Sequence, residues 1–359
     1  MITCIIGTRA QLIKMAPVIR ELEARELKFQ ILLTGQHKET INTILNDFDI
    51  KTEPIELEKP KEVSSVFRMM FWFPRAFVKM IKHRKKLFED NSESSWILVH
   101  GDTLSTLLGA LVGKFTSNRI AHIESGLRSF SFFSPFPEEI TRVLTFRLSD
   151  VGFCPGKWAV KNLKKYHIKA VDTQLNTIVD AVNYAISKKF ECQKQEEHEY
   201  AVVSIHRFEN IYRKKRFRSI LDILNLISKK IKLVFVLHPT TKKRLNKYGW
   251  MNDLESNSNI TLEPRMGYMG FIRLLSNSKF VITDGGSNQE ELAYLGIPTL
   301  IMRDATERPE GLGETAIMNG FDKKIAEKFV ADLEGLEDNA KKRTLRSPSK
   351  IIVDFLIDT

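Results

Sequence analysis

The 359-residue sequence predicts an α/β protein built from two parallel-sheet domains. Three observations predict it. Short apolar runs alternate with helical patterns along the chain, and parallel strands require crossovers of that kind. Nearly every apolar run ends on its C-terminal side in polar residues: TR, TGQH, HGDT, ESGLR, HRFEN, HP, DGGS and RD. Ligands of open parallel sheets bind beyond the carboxyl ends of the strands, so this asymmetry places the chemistry on one edge of each sheet. The alternation also stops and restarts, because residues 188–199 (KKFECQKQEEHE) are charged and non-periodic and read as a linker region. The length is long for one core and 43% apolar residues suffice for two. The expected domains are 1–170 and 171–346, with a last helix, 347–359, packing back on the first.

The first-domain elements follow in order. Ile2 to Ile6 is a buried strand, broken by Gly7-Thr8-Arg9 before an amphipathic helix through Leu22. Arg9 and Lys14 fall on that helix, and spacing alone makes them solvated. Phe29 to Leu33 is a strand ending in Thr34-Gly35-Gln36-His37. Trp96 to Val99 runs into His100-Gly101-Asp102-Thr103, and Ile120 to Ile123 into Glu124 and Arg128. Pro137 stands before Glu138 and Glu139 at a helix start, with Arg142 one turn on; read locally, the two glutamates are a surface pair.

In the second half, Ala201 to Ile205 ends in His206-Arg207-Phe208-Glu209-Asn210, and Lys232 to Leu237 in His238-Pro239. Phe280 to Ile282 leads to Asp284, a Gly285-Gly286-Ser287 turn and a helix carrying Glu290 and Glu291. Glycines admit close approach of an anion, and a helix N-terminus aims unpaired N–H groups at it. Pro298 to Met302 ends in Arg303-Asp304 and the loop Thr306-Glu307-Arg308-Pro309-Glu310, in which nothing apolar would pack. Ser347-Pro348 caps the last helix, through Leu356.

The expected cleft collects cations (Arg9, Lys14, His206, Arg303, Arg308) and carboxylates (Asp102, Glu124, Glu138, Glu139, Glu291). Cations with a glycine turn suit a diphosphate, and carboxylates suit proton transfer or hydroxyl recognition. A nucleotide sugar requires both. His100 with Asp102 and His122 with Glu124 pair potential metal ligands, but no third ligand is indicated, so neither metal nor cofactor is expected. Walker, G-x-S-x-G and G-x-G-x-x-G patterns are absent from the sequence. The three cysteines, Cys4, Cys154 and Cys192, make neither a disulfide framework nor a zinc pattern and read as packing residues.

A formal charge of +11 fits an anionic ligand, nucleic acid or an anionic membrane. No helix-turn-helix, zinc-finger or RNA-binding signature accompanies it, so nucleic acid is not expected. No apolar run reaches the roughly 18 residues of a spanning helix. The opening MITCIIG reads as a strand entering a turn and not as a signal peptide, so the expected location is cytoplasmic. Residues 66–87 (VFRMMFWFPRAFVKMIKHRKKL) interleave aromatic and basic side chains. They read as a core-facing helix with a basic face, or as peripheral contact with an anionic membrane.

The segments TDGGSNQEE and GIPTLIMRDATERPE resemble the UDP-N-acetylglucosamine 2-epimerase family, whose pattern is Asp-Ser-Gly-Gly-x-Gln-Glu-Glu followed by Arg-Asp-x-Thr-Glu-Arg-Pro-Glu. The resemblance extends through TGQH, HGDT, His122-Ile-Glu124-Ser-Gly-Leu-Arg128 and Pro137-Glu138-Glu139 with Arg142. It is similar, with departures, in GTRAQLIK, where the family has Pro-Glu for Ala10-Gln11, and at Gly285, Ser287 and Phe208. The resemblance implies two Rossmann-like domains of the GT-B type facing across a cleft, and a homodimer. It implies a UDP-sugar substrate whose UDP is eliminated as the proton on carbon 2 is removed, then re-added after protonation on the other face, for surface polysaccharide synthesis. Carried over by position, Asp102, Glu124 and Glu138 are the acid/base candidates, and His206 counts with them among the catalytic residues. Arg9, Lys14, His206 and the Gly286-Ser287 backbone would bind diphosphate, Arg308 would bind substrate, Glu291 the ribose, and Arg142 would orient the carboxylates. Gln36 and Arg207 match part of a site at which some bacterial relatives bind a second UDP-GlcNAc. The other readings are a hydrolysing 2-epimerase, a GT-B glycosyltransferase with a membrane-linked acceptor, and a nucleotide-sugar sensor.

Overall fold

The computed structural model describes residues 1–34, 38–57, 66–88, 95–131, 137–188, 199–306, 308–337 and 346–359. The chain forms two compact units, Met1–Ala181 with Leu345–Thr359, and Val182–Thr344.

The first unit holds β1 (Ile2–Ile6), β2 (Phe29–Leu33), β3 (Ile55–Glu56), β4 (Trp96–His100), β5 (Arg119–Ile123), β6 (Val151–Cys154) and β7 (Lys169–Asp172). They form one parallel sheet in the order β3-β2-β1-β4-β5-β6-β7. Because β7 completes this sheet, the division between units falls at Ala181 and not at residue 170. The sheet is covered closely. On helix Leu104–Phe115, a Cβ at Gly109 would lie 2.6 Å from Val99 Cγ1, and one at Gly113 would lie 2.6 Å from Ile120 Cγ1. Only glycine lets this helix sit so near the strands.

The second unit repeats the plan with β8 (Tyr200–Ser204), β9 (Lys232–Leu237), β10 (Ile260–Pro264), β11 (Phe280–Thr283), β12 (Thr299–Ile301) and β13 (Ala316–Met318). Its parallel order is β10-β9-β8-β11-β12-β13. Ala201, Val203, Phe235 and Ile282 of the sheet pack with Phe217, Ile220 and Phe329 from its helices. Central strands buried on both faces read as continuous apolar runs, which is why they were legible.

In both sheets the strand order reverses beside the first strand of the unit, β1 next to β4 and β8 next to β11. Such a switch point leaves a crevice at the carboxyl ends of the two strands. The turns after β1 and β4, and after β8 and β11, are therefore where each unit can receive a ligand.

The last helix, Pro348–Ile357, is capped by Ser347 and packs in the first unit against helix Arg9–Ala24. Arg25 meets Asp354 at 2.6 Å, and the Phe355 ring lies 5.5 Å from that of Phe153. Helix Val66–Lys82 buries Trp72, Ala76 and Met80, one stripe at helical spacing, and exposes Phe71, Arg75, Val78 and Lys82 on another. Among the described residues no helix is long and apolar enough to cross a membrane. The core of the linker region and Cys192 lie outside the described residues, whereas Cys4 and Cys154 are buried packing residues whose thiols are pushed up to about 12 by burial.

Candidate functional site

In the first unit the turn after β1 is knitted to the turn after β4. Thr8 caps helix Arg9–Ala24, accepting from the Gln11 N–H. The Gln11 Oε1 accepts from the N–H groups of Gly7 and Thr8, while its Nε2 donates to the His100 carbonyl at 2.6 Å. A carboxylate could not make that last bond, which gives a local reason for glutamine at this position. Arg9 opens the helix beside this knot.

The same turn brings two charged groups together. Lys14 Nζ lies 2.5 Å from Glu124 Oε2, with side-chain exposures of 5% and 7%, and His100 Nε2 lies 3.3 Å from the same oxygen. Lys14 is thus a buried partner of a carboxylate, not the solvated helix residue its spacing predicts. Glu124 follows β5 with φ +62, a left-handed conformation costing about 1–2 kcal/mol for a non-glycine residue. Strain of this kind collects at functional sites.

The second group centres on Glu139. It is fully buried, pairs with Arg128, lies 3.4 Å from Arg142 Nη1 and accepts the Ser129 N–H at 3.0 Å. Burial acts to raise its pKa, but the Ser129 N–H and the two guanidinium groups outweigh burial and hold it below the ordinary carboxylate value. The surface-pair reading of Glu138-Glu139 is therefore wrong for Glu139, because side chains distant in sequence cover it. Arg142 reaches on through Nη2 to Asp102 Oδ2 at 2.5 Å. The Asp102 carbonyl accepts from Thr141 Oγ1, and the preceding carbonyl, of Gly101, accepts from His122 Nε2 at 2.7 Å. The other His122 nitrogen takes the Ser125 hydroxyl at 3.1 Å. Burial drives the His122 pKa down to about 4, so the ring is neutral and both its nitrogens are engaged. That ring cannot serve a metal, and among the described residues no metal-binding cluster occurs. Asp102 keeps 29% of its side chain exposed, whereas Glu138 opens the helix next to Glu139.

In the second unit, fully buried Asp284 after β11 accepts the N–H groups of His206 at 3.0 Å and Arg207 at 3.0 Å and the Asn210 amide at 2.9 Å. It fixes the turn after β8 and sets the half-exposed His206 ring 3.4 Å from its own Oδ1. Gly285 caps helix Gly286–Leu295, whose first N–H groups, from Gly286 and Ser287 onward, have no intrahelical partner. A Cβ at Gly285 would fall 2.4 Å from Asn288 Oδ1, so glycine here goes with the asparagine that fills the space.

The charged loop after β12 has a structural anchor that its polar sequence hides. Gln289 and Glu290 on the helix hold it through the Arg308 and Glu310 carbonyls and the Arg308 guanidinium. Arg308 Nε lies 2.9 Å from the position a Cβ would take on Gly286. Glu291 is buried near Tyr268, whose hydroxyl is pushed well above its ordinary pKa by burial first and then by Glu291. Phe208 is exposed and stacks on Tyr212 at 3.9 Å, while Arg207 pairs with Glu209 at 3.1 Å. Gln36 and Glu307 lie outside the described residues.

Lys14 with Glu124 and Asp102 with Arg142 thus pair in one unit; in the other, His206 lies beside Gly285 and Arg308 over Gly286, with Ser287 next in the helix and Glu291 farther along it against Tyr268. Gln11, Asp284 and Gln289 are organising residues that the sequence left without a role; Glu139, expected among the cleft carboxylates, and His122, weighed as a metal ligand, organise the site as well. Their only signal was a polar residue at a strand end or in the first turns of a helix.

Two Rossmann-like units, one with a carboxylate–cation cluster and the other with a glycine-opened helix, define an α/β enzyme of the GT-B type. A family model described as UDP-N-acetylglucosamine 2-epimerase matches residues 20–350. The chain is 33% identical over 362 residues to the UDP-N-acetylglucosamine 2-epimerase of Methanocaldococcus jannaschii, covering 97% of this chain and 94% of that protein. Its structure resembles that of UDP-GlcNAc 2-epimerase from Neisseria meningitidis bound to UDP-GlcNAc, at TM-score 0.83 and 30% identity with all of both chains covered. It also resembles the Methanocaldococcus jannaschii enzyme in complex with UDP-GlcNAc and UDP, at TM-score 0.79 and 30% identity, covering 100% of this chain and 99% of that one. The chain belongs to the UDP-N-acetylglucosamine 2-epimerase family, a family of isomerases.

Proposed function

We propose that the protein interconverts UDP-GlcNAc and UDP-ManNAc by elimination and re-addition of UDP. The proton on carbon 2 is not adjacent to a carbonyl, so its removal requires a positioned carboxylate and a stabilised leaving group. As the carboxylate takes that proton, the C–H electron pair forms the C1–C2 double bond and the C1–O bond breaks toward UDP. Protonation of carbon 2 from the other face and attack of the UDP oxygen on carbon 1 complete the reaction.

The observation that carries this reading is the set of cation-held carboxylates at the first switch point, since diphosphate binding alone does not need them. Asp102 is the accessible member, its Oδ2 held by Arg142, and supports a role as the group that meets the carbon 2 proton. Glu124, buried against Lys14 and His100, supports a role as proton relay on the other face. Glu138 completes the acid/base set. In the other unit the Gly286-Ser287 N-terminus, Arg308 and His206 take the diphosphate and Glu291 the ribose; Arg9, at the turn after β1 of the first unit, keeps its reading as a phosphate ligand.

An NMR time course with UDP-GlcNAc in deuterium oxide tests this. Deuterium at carbon 2 together with UDP-ManNAc is expected. Free ManNAc and UDP would instead establish the hydrolysing form, and absence of exchange despite UDP binding would move the assignment to a glycosyltransferase. Two buried free thiols, Cys4 and Cys154, support a cytoplasmic site of action. A homodimer belongs to the same reading, and the exposed face of helix Val66–Lys82 also supports contact with an anionic bilayer. Light scattering and vesicle flotation test these two partners.

A further inference from the structure

Gln289 is the most completely used amide near the second switch point. It is 1% exposed and stands one turn into helix Gly286–Leu295. Its two Nε2 hydrogens go to the Arg308 and Glu310 carbonyls, each at 2.9 Å, and its Oε1 accepts the Thr306 hydroxyl at 2.9 Å. A primary amide has two donors to give, and both are taken by the backbone of one loop. Thr306 Oγ1 in turn accepts the Arg308 N–H at 3.3 Å. The neighbouring Glu290 pairs with the Arg308 guanidinium, and Arg308 Nε lies over Gly286. One side chain therefore fixes the backbone on both sides of Pro309 and thereby sets where the Arg308 side chain begins.

We propose that Gln289 is a positioning residue for phosphate binding: it clamps the loop after β12 so that the Arg308 guanidinium stands over the N-terminus of helix Gly286–Leu295. This rests on the reading that Arg308 and Gly286 receive the diphosphate. A methionine at 289 keeps the volume without the bonds. A glutamate would face two carbonyl oxygens with a carboxylate and drive the loop away.

The test is a double-mutant cycle read by calorimetric binding of UDP and of uridine, with melting temperatures recorded alongside. Gln289→Met is expected to weaken UDP at least tenfold and uridine less than twofold, because only the phosphate contacts depend on Arg308. In an Arg308→Ala background the same change is expected to add less than twofold, since the group it positions is gone. Equal losses for UDP and uridine, or additive losses in the cycle, would show a general structural role and overturn the proposal. Unchanged UDP affinity in Arg308→Ala alone would instead remove the reading of Arg308 on which it rests. Should Gln289→Met fail to fold, Thr306→Val removes one anchor only. It is expected to weaken UDP severalfold with recovery in Thr306→Ser, and no difference between these two variants would equally overturn the clamp.

Discussion

Lys14 and Glu124, 110 residues apart in sequence, meet at 2.5 Å inside the first unit. Neither charge has a solvated alternative, so each makes the burial of the other tolerable.

Removing one partner should therefore be costly. Lys14→Met is expected to destabilise the protein by about 3–5 kcal/mol, because it takes the ammonium partner from a buried carboxylate. Urea unfolding measures this, and a loss below about 1 kcal/mol would show that water reaches Glu124 freely. Turnover should fall with it, whereas Glu124→Gln should abolish turnover while UDP affinity is retained.

His122 should make stability depend on pH. Its pKa lies at about 4 when folded against an ordinary 6.5, so the unfolded chain binds the proton more readily. The stabilisation is complete above pH 6.5 and is lost as pH falls toward 4, amounting to about 3 kcal/mol at most. His122→Asn, which keeps a donor for Gly101, should flatten the unfolding free energy across that window. An unchanged slope would assign the dependence to other groups.

Glu139 balances two guanidinium groups, and one of them, Arg142, carries the charge of the helix Glu138–Leu148 to Asp102. Glu139→Gln keeps the shape and removes the charge. It is expected to cost about 3 kcal/mol and to lower kcat more than tenfold, by leaving Arg128 and Arg142 under-neutralised. Wild-type kcat in a folded variant would separate Glu139 from the site.

Gly285 and Asn288 should behave as a pair. Gly285→Ser alone is expected to cost about 1 kcal/mol, since its Cβ meets Asn288 Oδ1. With Asn288→Ala that cost should shrink to what the 3.1 Å approach to His206 Cε1 imposes, and additive losses would show that the two positions are independent.

The strand ends were the legible part of this protein. β1, β4, β8 and β11 are continuous apolar runs, and the residues just after them, Asp102, His206 and Gly286 among them, could be picked out by their place. Short or weakly apolar strands were not legible: β3 has two residues, and β6, β7, β10 and β13 are short runs broken by polar or small residues, with β7 and β10 largely unburied. The partners of Glu139 and the anchor of the loop after β12 were not legible for a related reason. A buried ion pair and a solvated one are the same letters in sequence.

What the sequence by itself determined was the class of each local element and the edge on which its polar residues would stand, because periodicity and turn chemistry act within a few residues. Only the tertiary structure decided which charges meet. Lys14 finds Glu124, and Asp102 finds Arg142, because the parallel order places β1 and β5 on either side of β4. Gln289 finds the Arg308 carbonyl because β11 lies beside β12. Strand order is a property of long-range packing, and no window of sequence contains it.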